Sequence, residues 1–152
     1  MNTTVEKNTK IKSCRDDARS TCALANGLDL VGDRWTLLII RDLMFTNRNE
    51  FGHFVNSGEG ISTNILTDRL ERLQQCKIIT KLPHPTHGKK NIYQLTDQGL
   101  ALFPVLIELI LWSYRTIKDT FVPEPVYQMM INDRETLYEK IKSREPLFLL
   151  EL

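Results

Sequence analysis

The segment "GISTNILTDRL", residues 60–70, continues into "ERLQQCKII", residues 71–79, and has the form of a helix with two unlike faces. Ser62 is a good N-cap, because its hydroxyl can accept the backbone N–H of residue 64 or 65. At about 100° per residue, Leu66, Leu70 and Leu73 fall on one side, with Ile65 and Arg69 at its edge. Asn64, Thr67, Asp68, Glu71 and Gln75 fall opposite. An ordinary solvent face would carry Lys and Glu. Short Thr and Asn side chains suit another purpose. The major groove of B-DNA admits one helix, and long side chains would hold that helix away from the base edges. Thr63, Asn64 and Thr67 are short enough to reach them, and the N–H groups around Ser62 can hold a phosphate.

The flanking sequence supplies a scaffold for such a helix. "STCALANGLDLVG" predicts a short helix with Ser20 or Thr21 as cap, Gly32 as stop and Leu24, Leu28 and Val31 on one face. "DRWTLLIIRDLMF" follows, with Asp33 as N-cap and a stripe of Trp35, Leu38, Ile39 and Leu43. "NEFGHFVNS" reads as a third short helix, capped by Asn49, with Phe51, Phe54 and Val55 inward, and "GEG" breaks the chain. Downstream, "IITKL" and "NIYQL" are β-branched and aromatic runs around the turn "PHPTHGKK". Thr96 then caps one long helix, "DQGLALFPVLIELILWSYRTIKD", which "FVPEP" ends; a last helical stretch covers residues 126–143. This order predicts a mainly α chain with a small β-hairpin wing, a winged helix-turn-helix. The expected divisions are an N-terminal arm over residues 1–19, the winged domain with its dimerisation helix over 20–120, and a helical extension over 121–152.

Composition excludes several classes. At 152 residues with 41% hydrophobic and 26% charged residues, the chain suits one globular domain with a small appendage. The longest apolar stretch, Leu100 to Trp112, is interrupted by Pro104 and Glu108 and reads as too short to span a bilayer. The polar first residues lack an apolar signal region, so a cytoplasmic location without membrane partners is expected. The basic excess sits in residues 1–98 and the acidic excess after them, which fits nucleic-acid contacts in the first two-thirds. Three cysteines, Cys14, Cys22 and Cys76, without a CxxC pair argue against a disulfide framework or a structural zinc site. "HPTH" offers His84 and His87 without a Cys or carboxylate beside them and reads as a polar turn. No metal, cofactor or enzymatic motif is expected.

Three stretches resemble one family. "CALANGLDLVGDRWTLLIIRDLMF" is similar to the opening of the HxlR-type winged helix-turn-helix regulators, relatives of the MarR group. "GISTNILTDRLERLQQCKII" resembles their recognition-helix segment, "GIS…LTxRLxxLxxxGLI", and "YQLTDQGLALFPVLIELILW" their "YxLTxxGxxLxPVLxxLxxW". The resemblance covers residues 20–115 and implies a homodimeric bacterial transcriptional regulator. In some members the N-terminal cysteine, here Cys22, senses oxidants or electrophiles. The chain departs from the pattern at Ala23, where a proline follows the cysteine. It departs again at Asp97, where a proline precedes the last helix, and at Cys76, read as the position of the glycine after the recognition helix. Asp68 stands where a neutral or basic residue is usual. An acid there can accept from cytosine N4 or orient Arg72.

The expected DNA-binding set is Ser62, Thr63, Asn64, Thr67, Asp68, Arg69 and Arg72 on the helix, with Lys89 and Lys90 on the wing reaching phosphates. Arg69, at the edge of the core face, can instead pair with an internal acid. Cys22, near a helix N-terminus with Arg15 and Arg19 close in sequence, is the candidate redox sensor, and Cys14 a resolving thiol. Cys76 is expected to pack where the recognition helix meets the first strand. The last helix of the winged domain is apolar on nearly every side, so one face needs cover from a second subunit. The expected interface is Leu24, Leu28, Phe103, Leu106, Ile107, Ile110 and Leu111; the alternative is that residues 121–152 fold back over it. Expected partners are double-stranded DNA at an inverted-repeat operator, a second copy, and a small-molecule or oxidant effector. The rival reading is a protein-interaction module on the same scaffold.

Overall fold

The computed structural model describes residues 20–46 and 48–145. The expected 1–19 arm, with Cys14, Arg15 and Arg19, lies outside the described residues. The helices are α1 (Ala23–Val31), α2 (Arg34–Phe45), α3 (Phe51–Val55) and α4 (Thr63–Gln75). Strands β1 (Ile79–Pro83) and β2 (Asn91–Leu95) follow, then α5 (Asp97–Leu100), α6 (Phe103–Thr116), α7 (Glu124–Asn132) and α8 (Arg134–Ser143). The mainly α chain with a hairpin wing is the arrangement expected.

Local chemistry sets most boundaries. Asp33 caps α2, its side chain accepting from the N–H groups of Trp35 and Thr36. Ser62 Oγ accepts from Ile65 N–H at 3.3 Å. Gly58 and Gly60 sit at φ +87° and +78°, so "GEG" is a turn that side chains would strain. Two caps differ from expectation. The residue opening α1 is Cys22, because Ser20 bonds instead to the Cys22 N–H. α3 is capped by Glu50 rather than Asn49: the Glu50 side chain and His53 satisfy each other's backbone N–H.

Two long helices are each broken in two. Pro104 lies in the first turn of α6, where its missing N–H costs nothing but its ring cannot continue a helix from residue 100. α5 and α6 are therefore separate helices. Their joint span, Asp97–Thr116, is 20 residues and passes by length and composition for a membrane span, longer than the stretch judged from sequence. The break divides this span, and Phe103, Leu106, Ile107 and Leu111 set one side of α6 into the core. The second break is at Asp133, whose extended backbone (φ −149°, ψ 64°) ends α7 and whose side chain caps α8 at Thr136 N–H.

The core is one cluster. Ile39, Ile40, Met44 and Phe45 of α2 meet Leu66, Leu70 and Leu73 of α4 and Phe103, Leu106, Ile107 and Leu111 of α6. The last four were expected at a dimer interface; they are buried within the chain's own core, Ile107 completely, and are no surface for a partner. Residues 121–145 explain part of this. α7 and α8 fold back against α6, with Tyr138 edge-on to Phe103 at 5.4 Å and Arg134 reaching Glu108 at 2.6 Å. They cover only one side of α6. Val105, Leu109 and Trp112, spaced along a single stripe, remain exposed, Trp112 to 58%. Leu24 and Leu28 of α1 also stay exposed, at 71% and 56%.

β1 and β2 pair antiparallel from Ile79↔Leu95 to Pro83↔Asn91. The segment before α3 joins the same edge: Tyr93 N–H donates to Asn49 C=O at 2.8 Å and Glu50 bridges Ile92. α4 passes into β1 through a paired C-terminal cap. Lys77 N–H donates to Gln74 C=O, and Ile78 N–H to Leu73 C=O, both at 2.9 Å. The left-handed residue this cap needs is Lys77, at φ +57°. The glycine position of the resemblance is thus Lys77, not Cys76, which is buried where α4 meets β1 as expected.

A lysine in that conformation costs about 1–2 kcal/mol relative to glycine. Lys77→Gly is therefore expected to stabilise the fold by about 1 kcal/mol, raising Tm by roughly 2–4 °C. An unchanged or lowered Tm in a thermal melt would show that the cap is not strained.

Candidate nucleic-acid interface

α4 presents the two faces its sequence implies. Leu66, Leu70 and Leu73 are buried against α2 and β1. Truncating any of them costs about 2–5 kcal/mol, so the helix is held firmly. Ser62, Thr63, Asn64, Thr67 and Asp68 are exposed on the other side. The Thr63 hydroxyl and the Asn64 amide make no hydrogen bond to another described residue. Thr67 Oγ1 donates to Thr63 C=O at 2.9 Å, which leaves its oxygen free to accept. This exposed front is the part of the expected set that the fold leaves available.

The arginines do something else. Arg69 Nε donates to Asp33 Oδ1 at 2.9 Å, and its Nη1 is paired with Asp68. Asp33 is the cap of α2, so this bond ties the start of α2 to the middle of α4. Burial alone would push the Asp33 carboxyl up, but hydrogen bonds from Thr36 and Arg69 hold it below the usual range. Arg72 donates to the Asp29 C=O of α1. Arg69 and Arg72 thus position α4 within the chain, and Asp68 pairs with Arg69 rather than with Arg72. The reason is geometric: both arginines lie toward the side of α4 that faces α1 and the start of α2.

The wing shows a similar division. Lys90 Nζ sits 2.8 Å from Glu50 Oε2, so its charge is already matched. His84 and His53 approach the same carboxylate through Nε2, at 3.5 and 3.9 Å. The Lys90 hydrogen bond comes first among the effects that lower the Glu50 pKa. Each of these imidazoles accepts backbone N–H groups at Nδ1: His53 from Asn49 and Glu50, His84 from Thr86 and His87. That fixes the proton on Nε2 and disfavours a metal bond there. Among the described residues, no group of three or more His, Cys, Asp or Glu is placed to hold a metal. Lys89 is exposed at the tip and makes no ion pair with another described residue. Sequence reasoning missed Glu50 as the organiser of the wing base; its partners lie 40 residues away in the chain for Lys90 and carry no spacing signal.

A second charge network reaches α4 from behind. Arg41 bonds Asp42 and Glu59, and Asp42, 2% exposed, also lies 3.6 Å from Arg48. Burial pushes the Asp42 carboxyl up against the pull of Arg41 and Arg48. Glu59 belongs to the glycine-flanked turn just before α4. Cys22, the free thiol among the described residues, is exposed at the start of α1.

Residues 30–121 match the profile of the HxlR-like helix-turn-helix family. The chain belongs to that family. The HxlR-like match takes in α2 through α6 and so includes the whole of the interface above. The HTH-type transcriptional regulator Mb3122 of Mycobacterium bovis is 32% identical over 103 residues, covering 68% of this chain and 61% of that protein. The chain therefore spans about 61% of the length of this relative. The crystal structure of PA1607 superposes with a TM-score of 0.61 at 34% identity, over 68% of this chain and 72% of that one. The reduced form of the transcriptional regulator YodB from Bacillus subtilis superposes with a TM-score of 0.53 at 30% identity, over 67% of this chain and all of YodB.

The Asp33–Arg69 tie predicts a pH signature. A depressed carboxyl pKa contributes stability that is present above the unfolded value, about 3.9, and is lost as pH falls through the folded one. Asp33→Asn keeps a good cap but removes the charge. It should lower stability by about 1 kcal/mol at pH 7, and the gap to the unmodified chain should close below pH ~4. Denaturant midpoints across that range check this; a gap that persists undiminished at low pH rules out the ion pair as its source.

Proposed function

We propose that this chain is a sequence-specific DNA-binding transcriptional regulator that acts in the cytoplasm as a homodimer on an inverted-repeat operator. The observation that carries the reading is the front of α4: Ser62, Thr63, Asn64 and Thr67 exposed and short, on a helix whose back is locked into the core. Such a helix enters a major groove, where Asn64 can pair with an adenine edge and the two threonines with bases or phosphates. Lys89 on the wing adds a phosphate contact at the flank. Family membership and relatives named as HTH-type transcriptional regulators support the same reading.

The second copy is proposed on the exposed apolar stripe of α6, Val105, Leu109 and Trp112, with Leu24 and Leu28 of α1 and half-buried Ile110 at the edge. A two-fold pair would set two α4 helices about 34 Å apart, on successive major grooves. Cys22 is proposed as a thiol sensor. It is exposed and opens a helix that carries part of this stripe, so its oxidation would alter the spacing of the two reading helices. The relative YodB has been solved both in a reduced form and after diamide treatment.

Selection of bound duplexes from a random pool should return an inverted repeat. Asn64→Ala is expected to relax base preference at one position per half-site, by about 1–3 kcal/mol. Lys89→Ala should weaken all duplexes alike and lower the salt slope by about one per subunit. An unchanged motif with Asn64→Ala contradicts the reading face, and binding without salt dependence points to a protein-interaction module. Leu109→Glu should give a folded monomer by sedimentation and circular dichroism; a dimer that survives it places the two-fold contact elsewhere.

A further inference from the structure

Between α6, α7 and the connecting residues 117–123 lies a cavity of about 240 Å³. Its walls include Phe45 of α2, Ile110 and Tyr114 of α6, Phe121 of the connector and Met130 of α7. Phe45, Tyr114, Phe121 and Met130 offer ring faces and a thioether to a flat guest, among aliphatic walls that also include Leu109 of the exposed stripe and Val126. The hydroxyls of Ser113 and Thr120 lie at the lining, and so does one charged group, Arg41.

The Arg41 charge is already matched. Its Nη1 donates to Glu59 Oε1 at 2.7 Å, while Nη2 and Nε donate to Asp42 Oδ1 at 2.7 and 3.0 Å. An anionic guest would have to displace a carboxylate, and a cationic one would meet the guanidinium. The cavity therefore selects a neutral molecule. Its size is above the roughly 150 Å³ of an apolar cavity that takes up benzene and below the range of drug-sized pockets, which begins near ~300 Å³. One or two aromatic rings, with a single hydroxyl or carbonyl for Ser113 or Thr120, fit these limits.

We propose that this cavity is an effector site for a neutral one- or two-ring aromatic molecule, and that Arg41 relays its occupancy to α4. Arg41 stands in the cavity wall and also holds Glu59. Glu59 lies between Gly58 and Gly60 in the turn that feeds Ile61 and the α4 cap, Ser62. Ile61 is buried, so the turn cannot move without moving the start of the reading helix. A guest that shifts the Arg41 guanidinium loosens one side of this turn; Arg34 still tethers Glu59 at 3.4 Å. The first half of the proposal stands on the cavity alone, and the relay rests on the DNA-binding reading.

The test uses the full chain with 13C-labelled methionine methyls, titrated with 2-naphthol. The Met130 methyl should shift saturably, while Met44, on the same fold but outside the lining, should not. Ser113→Phe, which places a ring in the cavity, should abolish the shift while Met44 keeps its position as a sign of folding. 2-Naphthol should also change affinity for a selected duplex by roughly fivefold or more. In Glu59→Gln it should bind with the same midpoint but leave duplex affinity unaltered. No Met130 shift, or one that persists in Ser113→Phe, overturns the site. A shift that appears only in dilute protein and fades on concentration means that a second copy fills the cavity, which also overturns it. Binding without any change in duplex affinity overturns the relay. A chain that takes up 2-naphthol yet binds no duplex overturns the DNA-binding reading, and the relay with it, while the aromatic site stands.

Discussion

Everything that α4 can do depends on how it is pinned. Leu66, Leu70 and Leu73 bury its back, and removing any one would cost as much as several hydrogen bonds. Apolar burial alone does not set rotation or tilt, because leucines slide against one another at little cost. The polar ties set them. Arg69 reaches the cap of α2 through Asp33, and Arg72 reaches the carbonyl of Asp29 in α1. One end is fixed by the Ser62 cap and the glycine-flanked turn, the other by the Lys77 cap leading into β1. A short polar front on a helix with no rotational freedom is a surface that can discriminate geometry. The same front on a loosely held helix would only be wet.

α6 has the opposite problem, being apolar on more sides than one chain can cover. The extension answers half of it. α7 and α8 pack against one side of α6, where Tyr138 meets Phe103 and Tyr127 meets Tyr114, and leave the Val105–Leu109–Trp112 stripe open. The cavity beside Arg41 lies at the seam between the covered and uncovered sides, where α6, α7 and their connector do not fill the space between them. The charge network at that seam is buried on the side of Asp42 and reaches the turn before α4 on the side of Glu59. Seam, turn and α4 are therefore in one continuous set of contacts.

Charged residues are distributed with economy along this frame. Of the basic side chains expected on DNA, Arg69, Arg72 and Lys90 hold other parts of the chain. Lys89 is left over. The DNA contact proposed for α4 then rests mainly on neutral hydrogen-bonding groups.

Periodicity and capping residues carried most of the fold. The leucine spacing in residues 66–73, the Asp33, Ser62 and Thr96 caps, the "GEG" turn and the two β-branched runs each depend on neighbours a few residues apart, so local chemistry settles them. The exposed front of α4 was legible for the same reason. The distant partners of Arg69, Arg72, Lys90 and Arg41 were not, because each is set by the packing of separate elements: Asp33 lies 36 residues from Arg69, and Asp29 lies 43 from Arg72. Nor could an all-round apolar helix reveal which face its own chain would cover. Spacing along a chain specifies what a segment can bury; only the closed tertiary structure, which brings distant charges into contact and leaves one stripe of α6 bare, decides what it does bury.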